Sequence, residues 1–204
     1  MIKVSRRSWM WAALAVIAAG LGACSRPAPV KGTFVLEPAM PPAVAKTHPG
    51  SVRVGTATVG AAFRGKQFVF RESELKFETD YYNEFLVSPA ANIGEATARA
   101  LAAAKVFSVV LPAGTPLEPD WVVDVFVESL YGDGRTMDKP NAVLAMTFFL
   151  RKGDGAVPVW NKSYAKRVPF TTGSAASYVA AQNTALGDIL ADLTRDLSAL
   201  SLSR

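Results

Sequence analysis

Hydrophobic and polar positions fall into short blocks of period two along most of the chain, interrupted by two stretches of helical period. "SVRVGTATV", from Ser51, is rich in β-branched residues and predicts a strand. "KQFVFRE" and "ELKFETDYY" predict two paired strands, with Phe68 and Phe70 on one face of the first and Leu75, Phe77 and Thr79 on one face of the second. Their connection at Glu72 and Ser73 lacks the glycine or asparagine that tight hairpins favour. Next, "SPAANIGEATARALAAAK" predicts a helix with Ser88 as N-cap and Pro89 at its first position. Ile93, Ala96, Ala100, Leu101 and Ala104 mark one side of it, and the small residues let it lie close to a sheet.

"VFSVVLP" is a short strand stopped by Pro112. In "WVVDVFVESLY", Trp121, Val123, Val125 and Val127 face one way, and Asp124 and Glu128 the other. "NAVLAMTFFL" is apolar at both parities, which predicts a central strand covered on both sides. Pro158 in "AVPVWNKSYAKRV" argues for an edge or a strand start. The last segment sets Val179, Leu186, Ile189, Leu190, Leu193, Leu197 and Leu200 on one stripe of a long amphipathic helix. The order predicts an α+β fold, a mostly antiparallel sheet packed against an Ala-rich helix and a long C-terminal helix.

The amino-terminal end follows another pattern. Lys3, Arg6 and Arg7 precede the uncharged run "SWMWAALAVIAAGLGA", the layout of an export leader. The run is shorter than the roughly 20 apolar residues of a spanning helix. A paired arginine of this kind also occurs in twin-arginine signals, but the general secretory route is the expected one. Leu21, Gly22 and Ala23 lead into Cys24, the single cysteine of the chain, and this segment resembles the bacterial lipobox. The resemblance implies cleavage before Cys24, diacylglycerol on its sulfur and acylation of its new amino group. A disulfide has no second cysteine here, and a metal site has no second sulfur ligand. Each buried methylene contributes about 0.8 kcal/mol, so two or three acyl chains anchor effectively permanently. Ser25 stands where an aspartate favours the inner membrane under the enterobacterial sorting rule, which points to the outer membrane.

Three segments result: a lipoprotein signal peptide at 1–23, a lipidated cysteine with a Pro-rich tether at 24–50, and one domain at 51–204. Prolines 27, 29, 38, 41, 42 and 49 exclude regular structure throughout the tether. At ~3 Å per residue it would hold the domain clear of the lipid headgroups. "GTFVLEP" within it reads either as an edge strand docked on the domain or as plain linker.

Charge narrows the function. Residues 1–23 hold three cations and no acid, so their removal lowers the formal net charge from +5 to +2. That leaves little for a nucleic-acid surface. Lys162, Lys166 and Arg167 read as a solvated face, and Asp188, Asp192 and Asp196 as an outward polar stripe opposite the leucines. His48, the single histidine, sits in the tether beside Pro49 and reads as solvent-exposed, which leaves a Ser-His-Asp arrangement without its base. "RGKQ" at 64–67 lacks the rest of a phosphate loop. "GDGR" at 132–135 has too few ligands for a metal, and a hairpin turn accounts for both glycines. No enzyme is expected, and no cofactor or metal beyond the acyl groups on Cys24.

The lipobox leader, the Leu-Glu-Pro element, the strand ending "FVFR", a second strand, a helix opening on Ser-Pro and a long terminal helix resemble the ABC-type transport auxiliary lipoproteins. These include the PqiC-like lipoproteins that accompany MCE-domain proteins in lipid movement between the inner and outer membranes. The similarity covers most of residues 33–201. A tryptophan common before the helix in that family is replaced by Phe85 here. The resemblance implies an outer-membrane-anchored, periplasm-facing accessory that docks on an MCE-domain protein with its permease and ATPase; the sequence leaves a homo-oligomer open. Phe68, Phe70, Arg71, Tyr81, Tyr82 and Phe85 are the candidate docking residues, although core packing explains "DYYNEF" about as well. An accessory of another envelope machine and a carrier holding acyl chains between helix and sheet are the alternatives. Cys24→Ser is expected to abolish both lipid labelling and flotation with membranes, and a variant that kept both would refute the anchor.

Overall fold

A computed structural model describes residues 30–136 and 138–202; the leader, Cys24 and its lipobox lie outside the described residues. The elements are β1 (Gly32–Phe34), β2 (His48–Val59), β3 (Gln67–Arg71), β4 (Phe77–Phe85), α1 (Pro89–Ala103), β5 (Phe107–Leu111), β6 (Trp121–Asp133), β7 (Asn141–Lys152), β8 (Pro158–Pro169) and α2 (Ala175–Ala199). The fold is α+β, with one mixed eight-stranded sheet. The long β6–β7 and β7–β8 ladders and the β3–β4 hairpin are antiparallel, as expected. The four other described pairings, β1–β4, β2–β5, β2–β6 and β3–β6, are parallel.

Strand β6 organises the sheet. Along one side it pairs with β7 over its whole length. Along the other it pairs with β2 from Trp121 to Val127 and with β3 at Gly132 and Asp133, so the sheet forks. Between the two branches the register slips at Glu128, an extra residue whose carboxylate accepts the Thr147 hydroxyl. The bulge reverses parity: Trp121, Val123, Val125 and Val127 face the main core before it, and Leu130 after it.

Both helices cover the same face. The predicted stripe of α1 is wholly buried, and so are Leu186, Ile189, Leu190, Leu193 and Leu197 of α2. Ser88 caps α1 by accepting the Ala91 amide, and Ser174 caps α2 by accepting that of Ser177. Strand β7 is central as expected, but among the described residues no α-helix covers its second face. There Val143 packs in a small cluster with Val69 and Tyr131, and Phe63 from a short 3-10 turn stacks on Tyr131 at 5.6 Å.

The largest correction concerns residues 31–50, expected as tether. The compact unit begins at Lys31. "GTFVLEP" does supply an edge strand, and the chain then runs as a strap over both helices. Leu36 is buried, its amide donating to Asn92 Oδ1 (2.8 Å) and its carbonyl accepting from Asn92 Nδ2 (3.1 Å). The Glu37 amide donates to Asn183 Oδ1 of α2 at 2.8 Å. Farther on, Val44 donates to the Ala104 carbonyl and Lys46 Nζ to that of Leu200. His48 is not exposed: it is 2% accessible, donates from Nε2 to the Leu197 carbonyl at 2.8 Å and packs on Phe107. Prolines suit such a strap because they bring no amide that must be satisfied.

Charged side chains expected in solvent instead join elements. Asp196 accepts from Lys162 Nζ and the Tyr164 hydroxyl, each at 2.7 Å, and Asp192 accepts from Lys166 Nζ at 2.8 Å. Asp188 alone of that stripe is exposed as expected. Arg167 reaches Asp133, a buried carboxylate that also takes two bonds from the Arg135 side chain. The Arg135 bonds foremost, and Arg167 with them, outweigh burial and hold the Asp133 carboxyl well below the usual carboxylate range. Gly132 serves packing and not a turn: a Cβ there would lie 2.5 Å from the Phe70 ring.

Asn92→Ala strands the buried amide and carbonyl of Leu36 and is expected to lower stability by about 2–3 kcal/mol in urea titrations. Asn183→Ala, acting on exposed Glu37, should cost about 1 kcal/mol or less. Asp133 has a depressed pKa, so its contribution is full above about pH 4 and is lost as the pH falls further. Asp133→Asn should therefore destabilise by about 1–2 kcal/mol at pH 7, with the gap to the parent narrowing in acid unfolding below about pH 4.

Candidate functional site

The six residues expected to form a docking surface separate into an interior set and an exterior pair. Phe68 and Phe85 are 0% and 2% accessible. Their ring centroids lie 4.7 Å apart, and Phe68 also meets Tyr178 of α2 at 5.0 Å and Phe34 of β1 at 5.6 Å. Phe70 packs on Tyr178 at 5.1 Å. Phe68 and Phe85 are the aromatic interior of the β1–β4–β3 branch and are closed to a partner, and Phe70 is half-buried against the same core. Phe85 is a core residue.

Tyr178 and Gln182 were not singled out by sequence reading. Tyr178 is fully buried, which pushes its phenol up, and its hydroxyl accepts from Gln182 Nε2 at 3.2 Å. The same Gln182 nitrogen lies 3.3 Å from the Tyr131 carbonyl and 3.4 Å from that of Val143, across the bulged region of β6 and β7. The available signal was a glutamine set one turn after a tyrosine on the apolar stripe of a helix.

Arg71 is also structural. Its guanidinium donates to the carbonyls of Ser73 (3.2 Å) and Glu74 (2.7 Å) and lies over the Phe77 ring. That side-chain staple, with the Glu72 amide donating to the Lys76 carbonyl, closes a hairpin that has no turn glycine. Leu75 falls in this turn, 93% exposed, and not on the apolar face predicted for it.

Tyr81 and Tyr82 are the exterior pair, 68% and 55% accessible. Gln67 pairs with Glu84 and Val69 with Thr79, so the single residue Phe68 stands opposite four residues, Asp80–Asn83. The surplus chain forms a knuckle. Asp80 holds it: Oδ1 accepts the amides of Tyr82 (2.7 Å) and Asn83 (3.1 Å), and Oδ2 accepts Asn83 Nδ2 (2.9 Å). The two rings stand edge to face at 5.2 Å. Beside them runs β1, with Gly32 opposite Asn83, Lys31 Nζ 5.6 Å from the Tyr81 ring centre and 3.2 Å from Glu84.

Elsewhere an open groove of ≈ 810 Å³ lies between α1 and the β2–β5 branch, lined among others by Val54, Ala57, Ala91, Gly94 and Leu111. Among the described residues, no three His, Cys, Asp or Glu side chains cluster as metal ligands, and no helix is long and apolar enough to cross a membrane. The groups gathered at the knuckle suit recognition by amphipathic contact, with apolar ring area and polar tips.

No curated protein matches the chain. The crystal structure of protein XCC0632 from Xanthomonas campestris, of family DUF330, has a TM-score of 0.69 at 13% identity, over 79% of this chain and 91% of that one. A crystal structure of an uncharacterized protein has a TM-score of 0.60, also at 13% identity, over 83% of this chain and 97% of that one. At such identities the likeness is one of fold. The model of the ABC-type transport auxiliary lipoprotein component matches residues 34–194, from the end of β1 through the strap and sheet into α2. The chain therefore belongs to the ABC-type transport auxiliary lipoprotein family.

Proposed function

We propose that the mature protein is a non-catalytic accessory of an ABC transport system that moves lipid between the two membranes, held at the outer membrane by the acyl groups of Cys24. The family match over residues 34–194 carries this reading. The lipobox Leu21-Gly22-Ala23-Cys24 supports the anchor, and Ser25 in place of aspartate supports the outer membrane as its destination. The partner proposed is an MCE-domain protein with its permease and ATPase, which supply the energy that this chain is not equipped to supply.

The groove beside α1 supports a second reading, in which the domain itself holds an acyl chain. Its lining is mostly small and apolar, as a hydrocarbon site requires. The two readings separate in native mass spectra of the delipidated domain, where a carrier retains stoichiometric phospholipid and a docking module does not.

Crosslinking the tagged, membrane-anchored protein in cells and identifying what co-purifies tests the main proposal. Recovery of an MCE-domain protein together with a permease and an ATPase is the expected outcome. Consistent recovery of a different envelope machine would overturn the lipid-transport assignment.

A further inference from the structure

The strap changes how far the domain can stand from its membrane. Only residues 25–30 separate Cys24 from Lys31, the first residue of the compact unit. Fully extended chain covers at most about 3.6 Å per residue, so Lys31 lies within about 25 Å of the Cys24 backbone. A domain of about 170 residues is about 40 Å across. The leash is thus shorter than the body it holds, and the end of the domain carrying Lys31 is the end kept near the bilayer.

At that end stand the Tyr81–Tyr82 knuckle and Lys31 itself. A β-bulge that left four residues opposite one had the option of turning aromatic rings inward, yet here Phe68 fills the interior and both tyrosines point out. Tyrosine has an apolar ring and a polar tip, the combination enriched at the membrane–water interface, and lysine lays its stem on apolar surface while its ammonium reaches headgroups. Asp80 is engaged by three N–H donors, and Glu84 takes one N–H of the Lys31 ammonium, which at 42% accessible keeps its other donors for headgroups. Asp80 also fixes the knuckle, so the rings need little ordering on contact.

Resting on the Cys24 anchor proposed above, we propose that Tyr81, Tyr82 and Lys31 form a bilayer-contact surface seated among phospholipid headgroups. The anchor supplies the affinity. The knuckle sets the tilt of the domain, and with it the direction in which the opposite parts of the fold face the periplasm.

The test uses the full lipidated chain in vesicles of phosphatidylethanolamine and phosphatidylglycerol. The sulfur of Cys24 is blocked by its diacylglycerol, so Tyr82→Cys introduces one reactive thiol for a nitroxide label. Asn161→Cys, on edge strand β8, is the reference position. The expected result is an oxygen-to-nickel-chelate accessibility ratio several-fold higher at residue 82 than at residue 161, with Tyr81→Cys as the second probe should Tyr82→Cys misfold. Equal, aqueous ratios at residues 81, 82 and 161 in protein that still floats with the vesicles would overturn the contact and leave the anchor intact. An aqueous ratio at residue 82, joined to crosslinks from that position to a transport subunit in cells, would assign the knuckle to a protein partner instead. Loss of flotation by the parent chain would remove the anchor itself, and this inference with it.

Discussion

Leu36 has no strand to pair with, and its side chain is nevertheless among the most buried in the molecule. What makes this burial possible is the two-point bond to the Asn92 amide, which takes the place of a ladder partner. A peptide group buried without such partners loses more than a leucine side chain recovers. Once Leu36 is held, the flanking chain is committed. Residues 32–34 lie along β4, and residues 37–48 cross α2 on the way to β2. The strap, and with it the point at which the compact unit begins, depends on that one pair.

Periodic positions made much of the fold legible. The stripes of both helices, the alternation of β6 up to Val127 and the pairing of β3 with β4 follow from spacing alone. The failures have particular causes. Prolines at 38, 41 and 42 exclude ladders but not docking, and a docked segment without ladders leaves no periodic trace. The hint lay elsewhere, in Asn92 and Asn183, poor helix formers placed within helices where their amides are needed. Lys162, Lys166, Asp192 and Asp196 look like two solvated stripes until tertiary structure sets β8 against α2. Such pairings between elements cannot be read from spacing within either one.

The candidate residues were legible as neighbours but not as inward- or outward-facing. "FVFR" and "DYYNEF" lie on the paired strands β3 and β4, as alternation predicted. Parity would have separated Phe68 from its neighbours, but it fails at the bulge, where four residues face one. The inward and outward rings therefore exchange roles within a few residues. Aromatic character in this region serves the core at Phe68 and Phe85 and partly at Phe70, while the surplus residues of the knuckle face outward.

The three-residue length of β1 has a mechanical consequence. With the anchor proposed above on Cys24, the domain is loaded at its Lys31 end by movement of the membrane or of its partners. Tension entering at Lys31 meets the short β1–β4 pairing before it meets the buried Leu36 clamp. Peeling residues 31–35 lengthens the leash by about 17 Å at about 3.4 Å per residue, while the sheet and helices stay folded behind Asn92. The attachment is thus a leash with a give and a stop: β1 yields first, and the amide of one asparagine sets the limit.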